Sequence, residues 1–167
     1  MRGLEEIIID KIYEVTNYAL SKVIKPDITV DTVTDLDEET IKEIKRKYEI
    51  EGVILDVDHT LRNDMKKIPE SNKEWINQMK KMLKVIVVSN GLDRNVERYL
   101  KEQGIEYIGF ASKPLKFNFV KACQKMRIKP EQVLVIGDSL LHDIYGGKRN
   151  NMTSVLVKSV NDDFEKE

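Results

Sequence analysis

Residues 53–61 read "VILDVDHTL". Three apolar residues, two of them β-branched, describe a strand buried on both faces, a pattern of parallel sheets. Yet the run ends in two acids separated by one residue, and burying unpaired charge is costly. Residues two apart in a strand face the same side, so the carboxylates of Asp56 and Asp58 converge if the extended geometry persists. Acids placed together at the end of a core strand are the mark of a site.

From residue 53 onward, apolar strands alternate with amphipathic helices. Strands are expected at Val53–Leu55, Val85–Val88, Tyr107–Phe110, Val133–Ile136 and Ser154–Val157. Helices are expected over 69–82, 93–104 (stopped by Gly104), 114–126 and, in a shorter form, 140–150. This rhythm predicts an α/β fold with a mainly parallel sheet of about five strands and helices on both faces. Ligands in such folds gather at the carboxyl ends of the strands, which is where Asp56 and Asp58 fall.

Three other strands also end in polar residues. "VVSN" puts Ser89 and Asn90 after the second, and "GFASKP" puts Lys113 beyond the third. "VIGDSLLHD" puts Asp138 directly after the fourth, with Asp143 five residues on. Clustered carboxylates suit a hard, oxygen-seeking cation such as Mg²⁺. A carboxylate is also a competent nucleophile toward phosphorus when a cation screens its charge. A second acid two residues on can give a proton to a leaving oxygen and later take one from water. Ser89 can donate to a phosphoryl oxygen and Lys113 can offset charge that builds on it.

In this order "DVDHT", "VVSN", "SKP" and "GDSLLHD" resemble the four motifs of the haloacid dehalogenase superfamily, in its phosphatase branch because Asp58 is present. The resemblance implies a three-layer Rossmann-like fold, with Asp56 as a nucleophile forming an aspartyl-phosphate. It makes Asp58 the general acid/base and, through its backbone carbonyl, a metal ligand. Ser89, Asn90 and Lys113 would bind the phosphoryl group, Asp138 would hold Mg²⁺ with Asp56, and Thr60 and Asp143 would support these from behind.

"SNG", "SKP", "GDSLLHDIYGGKRNN" and the "KPD…TVTDL" lead-in are further similar to the YqeG family of subclass III phosphatases. Through it they are similar to phosphatidylglycerophosphate phosphatases. His59 and His142 stand where that pattern has Asn and Thr. The likeness to phosphatidylglycerophosphate phosphatases, and not these two departures from it, is what implies a lipid phosphate as substrate. A soluble sugar phosphate or nucleotide is the alternative. A phospho-accepting receiver-like signalling domain is the reading from another class, against which the second acid, Asp58, argues for turnover.

Only 28 residues lie between Thr60 and Ser89, and 23 between Ser89 and Lys113. Neither gap holds a cap domain, so the mouth of the site is expected to be open. The expected organisation is an N-terminal helical extension over 1–50 packed on the core, a catalytic domain over 51–160 and a tail over 161–167. In the extension, residues 4–24 carry Leu4, Ile8, Ile12, Val15, Ala19 and Val23 at helical spacing. Residues 25–36 look like an extended connector, and 37–48 like a short helix with acids first and bases last. Trp75 is read as core. Lys148 and Arg149 are candidates for touching a substrate phosphate.

Composition sets outer limits. Of 167 residues 34% are charged, but the net charge is −1, which argues against nucleic-acid binding by a global basic field. The one cysteine, Cys123, rules out an internal disulfide and reads as a small apolar core residue. No apolar run reaches the ~18 residues needed to span a bilayer. The expected location is the cytoplasm, with peripheral contact to the inner face of the membrane as the variant a lipid substrate would require.

Overall fold

The computed structural model describes residues 3–161; most of the expected C-terminal tail lies outside them. Its centre is a six-stranded, all-parallel sheet. The chain runs α1 (Leu4–Val23), β1 (Ile28–Val30), α2 (Glu38–Tyr48), β2 (Gly52–Leu55), α3 (Glu70–Met82), β3 (Lys84–Val88), α4 (Arg94–Glu102) and β4 (Glu106–Ile108). It continues with α5 (Lys116–Met126), β5 (Val133–Gly137), a π-helical turn (Leu140–Tyr145), the single turn α6 (Gly146–Lys148) and β6 (Thr153–Val157).

The strands lie in the order β1-β6-β5-β2-β3-β4. The central ones form where Val, Ile and Leu run without interruption, and every residue of β2 and of β5 is buried. Branched side chains pack well on a pleated surface covered on both faces. One face carries Val53, Leu55, Val87 and Leu134 against α2, α3 and α4. The other carries Ile54, Ile86, Val133 and Val135 against Phe119, Ala122 and Cys123 of α5. Trp75 lies in the first cluster, its indole N–H donating to the Leu36 carbonyl at 2.8 Å.

β2 is the point where the connections reverse. From it the chain winds outward through β3 and β4, then returns to β5 on the other flank and winds out to β6. Such a switch point leaves a crevice at the strand carboxyl ends. Register completes it: Leu55 pairs with Ile136 on one side and Val87 on the other. Asp56 is thereby set beside the end of β5, where its N–H donates to the Ile136 carbonyl at 3.0 Å.

The first fifty residues correct one expectation. The stretch over 25–36 is more than a connector: Ile28–Val30 joins the sheet as an edge strand on β6, which accounts for the sixth strand. Its three residues are too few to show a period. Ile41 and Ile44 of α2, with Val33, Leu36 and Ile50, belong to the main core cluster. By contrast α1 has no buried residue.

Candidate active site

Asp56, Ser89, Asn90, Lys113 and Asp138 sit on loops that follow strand ends, and Asp143 stands on the π-helical turn after β5. Asp56 follows β2 and is buried. Lys113 follows β4 on a loop with Phe110 and Ser112 in left-handed conformations and a cis Lys113–Pro114 bond. That loop is latched to the end of β3. The Lys113 N–H donates to Asn90 Oδ1 at 2.6 Å, Asn90 Nδ2 donates back to the Lys113 carbonyl at 3.3 Å, and the Ala111 N–H bonds the Ser89 carbonyl.

The Lys113 ammonium is the hub. It lies 2.9 Å from Asp56 Oδ1 and 2.6 Å from Asp143 Oδ1, and is itself buried. Thr60 Oγ1 donates to Asp56 Oδ2 at 3.2 Å and reaches Asp138 Oδ1 at 3.4 Å. The carboxylates of Asp56, Asp138 and Asp143 each offer an oxygen within 4.8 Å of the others. Asp143 comes this close because Gly137 has no side chain, since a Cβ there would overlap the Asp143 carboxylate. Asp143 also accepts from the Ser139 N–H at 3.2 Å.

Electrostatics follow from crowding three anions around one cation. Burial alone would lower the Lys113 ammonium, but the Asp143 and Asp56 carboxylates outweigh it and hold its pKa above the ordinary lysine range. Burial, reinforced by the neighbouring Asp56 and Asp143, pushes Asp138 up to about 8. Asp143 is pushed up to about 6, burial and the Asp56 charge prevailing over the pull of Lys113. Burial and the Lys113 charge lower His142.

A cavity of about 370 Å³ opens onto this cluster, lined by Asp56, Asp58, Ser89, Asn90, Lys113, Asp138 and Asp143, and also by Tyr13, His59, Gly91, Ser139 and His142. Asp56, Ser89, Lys113 and Asp138 therefore face one space. Two residues depart in detail from their sequence-based roles. Asp143 stands in the carboxylate trio itself. Asn90, though on the wall, uses its amide to fix Lys113. Lys148 and Arg149 lie away from the cavity, Lys148 near Asp27 (3.5 Å) and Arg149 over the Tyr145 ring (5.5 Å).

The sequence reading missed Arg62. This buried side chain bridges Asp58 (Nε to Oδ1, 2.9 Å) and Asp93 (NH1 to Oδ2, 2.7 Å). Asp93 in turn caps α4 through the N–H groups of Asn95 and Val96, and hydrogen bonding from Arg62 holds its carboxyl below the usual range. The available signal was position: Arg62 stands four residues after Asp58, on a loop folded back so that the His59 N–H bonds the Arg62 carbonyl.

An all-carboxylate donor set fits a hard divalent cation, and the upward displacement of Asp138 is what a nearby positive charge would relieve. The parallel sheet, its switch-point crevice and this cluster define an α/β protein with a carboxylate trio able to hold a divalent cation. The chain belongs to the haloacid dehalogenase-like hydrolase family, whose family model matches residues 8–151. It is 36% identical over 143 residues to the probable phosphatase YqeG of Bacillus subtilis (strain 168), covering 84% of this chain and 81% of that one.

Among solved structures, NagD from E. coli K-12 superposes with a TM-score of 0.55 at 13% identity, covering 70% of this chain and 90% of that one. An uncharacterized protein from Listeria monocytogenes serotype 4b gives 0.54 at 19%, covering 71% and 85%. These two speak for the fold. With the family and its phosphatase relative, the chain is a phosphatase, a phosphoric monoester hydrolase.

Proposed function

We propose that the protein is a Mg²⁺-dependent phosphomonoesterase working through a phosphorylated Asp56. The observation that carries this reading is Asp56 itself, pinned by Lys113 on one oxygen and Thr60 on the other, facing a cavity also lined by Ser89 and Asp58. A nucleophile must be held in its attacking orientation, and two fixed hydrogen bonds do so.

The Asp56 oxygen attacks phosphorus as the bond to the ester oxygen breaks, and Asp58 gives that oxygen its proton. Water then attacks the phosphorus of the aspartyl-phosphate and loses a proton to Asp58, freeing phosphate and regenerating Asp56. Ser89 and Lys113 bind the phosphoryl oxygens and compensate their charge. Mg²⁺ would be held by Asp56 and Asp138, with the Asp58 carbonyl, and Asp143 at its back. When bound it neutralises charge between the anionic nucleophile and the anionic substrate.

Arg62 holds Asp58 through Oδ1, and Asp58 lines the cavity, so its second oxygen can serve the ester oxygen while Arg62 keeps the side chain in place. As substrate, the likeness to phosphatidylglycerophosphate phosphatases favours that lipid over a soluble phosphate, and the absence of a cap over the described site accords with a bulky substrate.

Phosphate release from an aryl phosphate tests the chemistry. Activity should require Mg²⁺ and vanish in Asp56→Asn, and acid-quenched protein should carry phosphate on Asp56. Full turnover by Asp56→Asn would overturn the mechanism. Phosphatidylglycerophosphate in mixed micelles, assayed beside a soluble panel, tests the substrate. Equal or faster turnover of the soluble compounds would overturn the lipid assignment.

A further inference from the structure

Among the described residues the longest helix, α1, is the one most weakly covered by the rest of the chain. None of the residues of α1 is buried, and its large apolar side chains are exposed, from 49% at Ile8 to 79% at Val23, with Leu4, Ile12 and Val15 between. The positions that the rest of the chain half covers are Asn17, Leu20, Ser21 and Ile24. Helix α1 thus rests on the domain along Asn17, Leu20 and Ser21 of its second half and turns the stripe of Leu4, Ile8, Ile12, Val15 and Val23 outward. A surface helix normally buries such a stripe, because tertiary packing supplies most of its stability.

The charges of α1 are sorted around its axis. At 3.6 residues per turn, Leu4, Ile8, Ile12, Val15, Ala19 and Val23 fall in a sector of about 100°. Lys11 and Lys22 lie at the edge of that sector, while Glu6, Asp10 and Glu14 lie opposite, Glu5 alone breaking the pattern. Lysines beside the apolar stripe and acids away from it suit an anionic lipid surface, where lysine stems lie along apolar ground and ammonium groups meet headgroups. They do not suit a second copy. A two-fold antiparallel pairing of the stripes would bring Lys11 and Lys22 of both copies to the same edge of the seam.

The same surface chemistry recurs on the loops that carry the site. Phe110, Leu115 and Phe117 are exposed around Lys113, and Leu141 and Tyr145 are exposed on the turn that carries Asp143. Tyr13 of α1 lines the cavity together with Asp56, so the helix adjoins the mouth. Among the described residues no helix is long and apolar enough to cross a membrane, which leaves binding to its surface.

We propose that α1 and this apolar rim form a docking surface for an anionic lipid bilayer, which sets the mouth of the phosphatase site against lipid headgroups. The inference deepens the proposed function by naming how its substrate is presented, and to that extent rests on it.

Vesicle flotation tests the docking, with phosphatidylcholine alone and with phosphatidylcholine doped with phosphatidylglycerol, and soluble aryl phosphate reports the chemistry separately. The protein should float with doped vesicles. Ile8→Glu with Val15→Glu should lower its partitioning about tenfold or more. Lys11→Glu with Lys22→Glu should cost about fivefold per lysine on doped vesicles and little on neutral ones. Neither pair should change turnover of the soluble compound. Wild-type protein that stays unbound to both vesicle types would overturn the proposal. So would a sedimenting dimer that the Ile8→Glu, Val15→Glu pair disperses without any vesicle binding. Vesicle binding with no release of phosphate from the aryl ester would sink the phosphatase mechanism and leave the docking standing.

Discussion

At the scale of single residues, Lys113 is where the site is most exposed to damage. Its ammonium lies between Asp56 and Asp143 in a buried setting, so Lys113→Ala leaves two anions uncompensated. Removing one partner of a buried ion pair costs about 3–5 kcal/mol, and denaturant unfolding of the metal-free variant should show a loss of that size. Asp138 predicts the opposite behaviour. Its folded-state pKa, about 8, lies above the ordinary 3.8, so the folded chain holds this proton longer than the unfolded one. Stability of the metal-free protein should therefore fall as pH rises from about 4 toward 8. Asp138→Asn removes the share of that dependence due to Asp138, leaving the smaller one due to Asp143 (about 6), so in chelator its melting temperature should exceed wild type at pH 8 and converge with it near pH 4. A variant melting below wild type at both pH values would refute the assignment. These residues were legible in the sequence as strand-end acids, a hydroxyl and a cation. The finer geometry was not: that Asp143 joins the trio depends on Gly137, and that Asn90 serves Lys113 depends on a loop turning back by way of Phe110 and Ser112.

At the scale of elements, the alternation of Val- and Ile-rich runs with amphipathic stretches located the five strands from β2 onward to within two residues at either end. It also located helices α2 to α5 to within two residues. It failed where an element is short or its partner distant. β1 has three residues, and its place beside β6 is set by a strand more than a hundred residues away. The turn after β5 was expected as a helix over 140–150; it begins as a π-helical turn, the kind of local widening often found at functional sites. That turn depends on Gly137. In Gly137→Ala the new methyl meets a carboxylate held by Lys113 and the Ser139 N–H, so one of them must shift. Overpacking of this kind costs about 1–3 kcal/mol, and phosphatase activity should fall with it, as thermal melts and aryl phosphate assays can establish. Arg62 links two further elements, the loop after β2 and the cap of α4. Arg62→Met should destabilise the protein by about 2–4 kcal/mol in urea, since Asp58 and Asp93 lose the charge between them. A loss within experimental error would mean that the bridge is dispensable.

At the scale of the whole molecule, the sheet order turns separate stretches of sequence into one electrostatic object. Asp56 and Asp138 are 82 positions apart, yet β2 and β5 are neighbours because the chain reverses its winding at β2. Order of motifs could suggest this convergence, but the pairing itself is tertiary, fixed by which strands bury each other's faces. The consequence is a folded state carrying a concentration of negative charge that the unfolded chain lacks. Any cation the trio binds must then stabilise folding by mass action, adding about 2.7 kcal/mol at a hundredfold excess over its dissociation constant. For a chain of 150–250 residues each kcal/mol is worth about 2–4 °C, so saturating Mg²⁺ at pH 8 should raise the melting temperature by about 5–10 °C. Asp138→Asn should lose most of that increment although its metal-free form is the more stable. Ser89→Ala should keep it, because Ser89 faces the cavity without belonging to the carboxylate trio. Equal Mg²⁺ responses in wild type and Asp138→Asn would remove the trio from the metal site, whereas a response lost in Ser89→Ala would place the cation farther out along the wall.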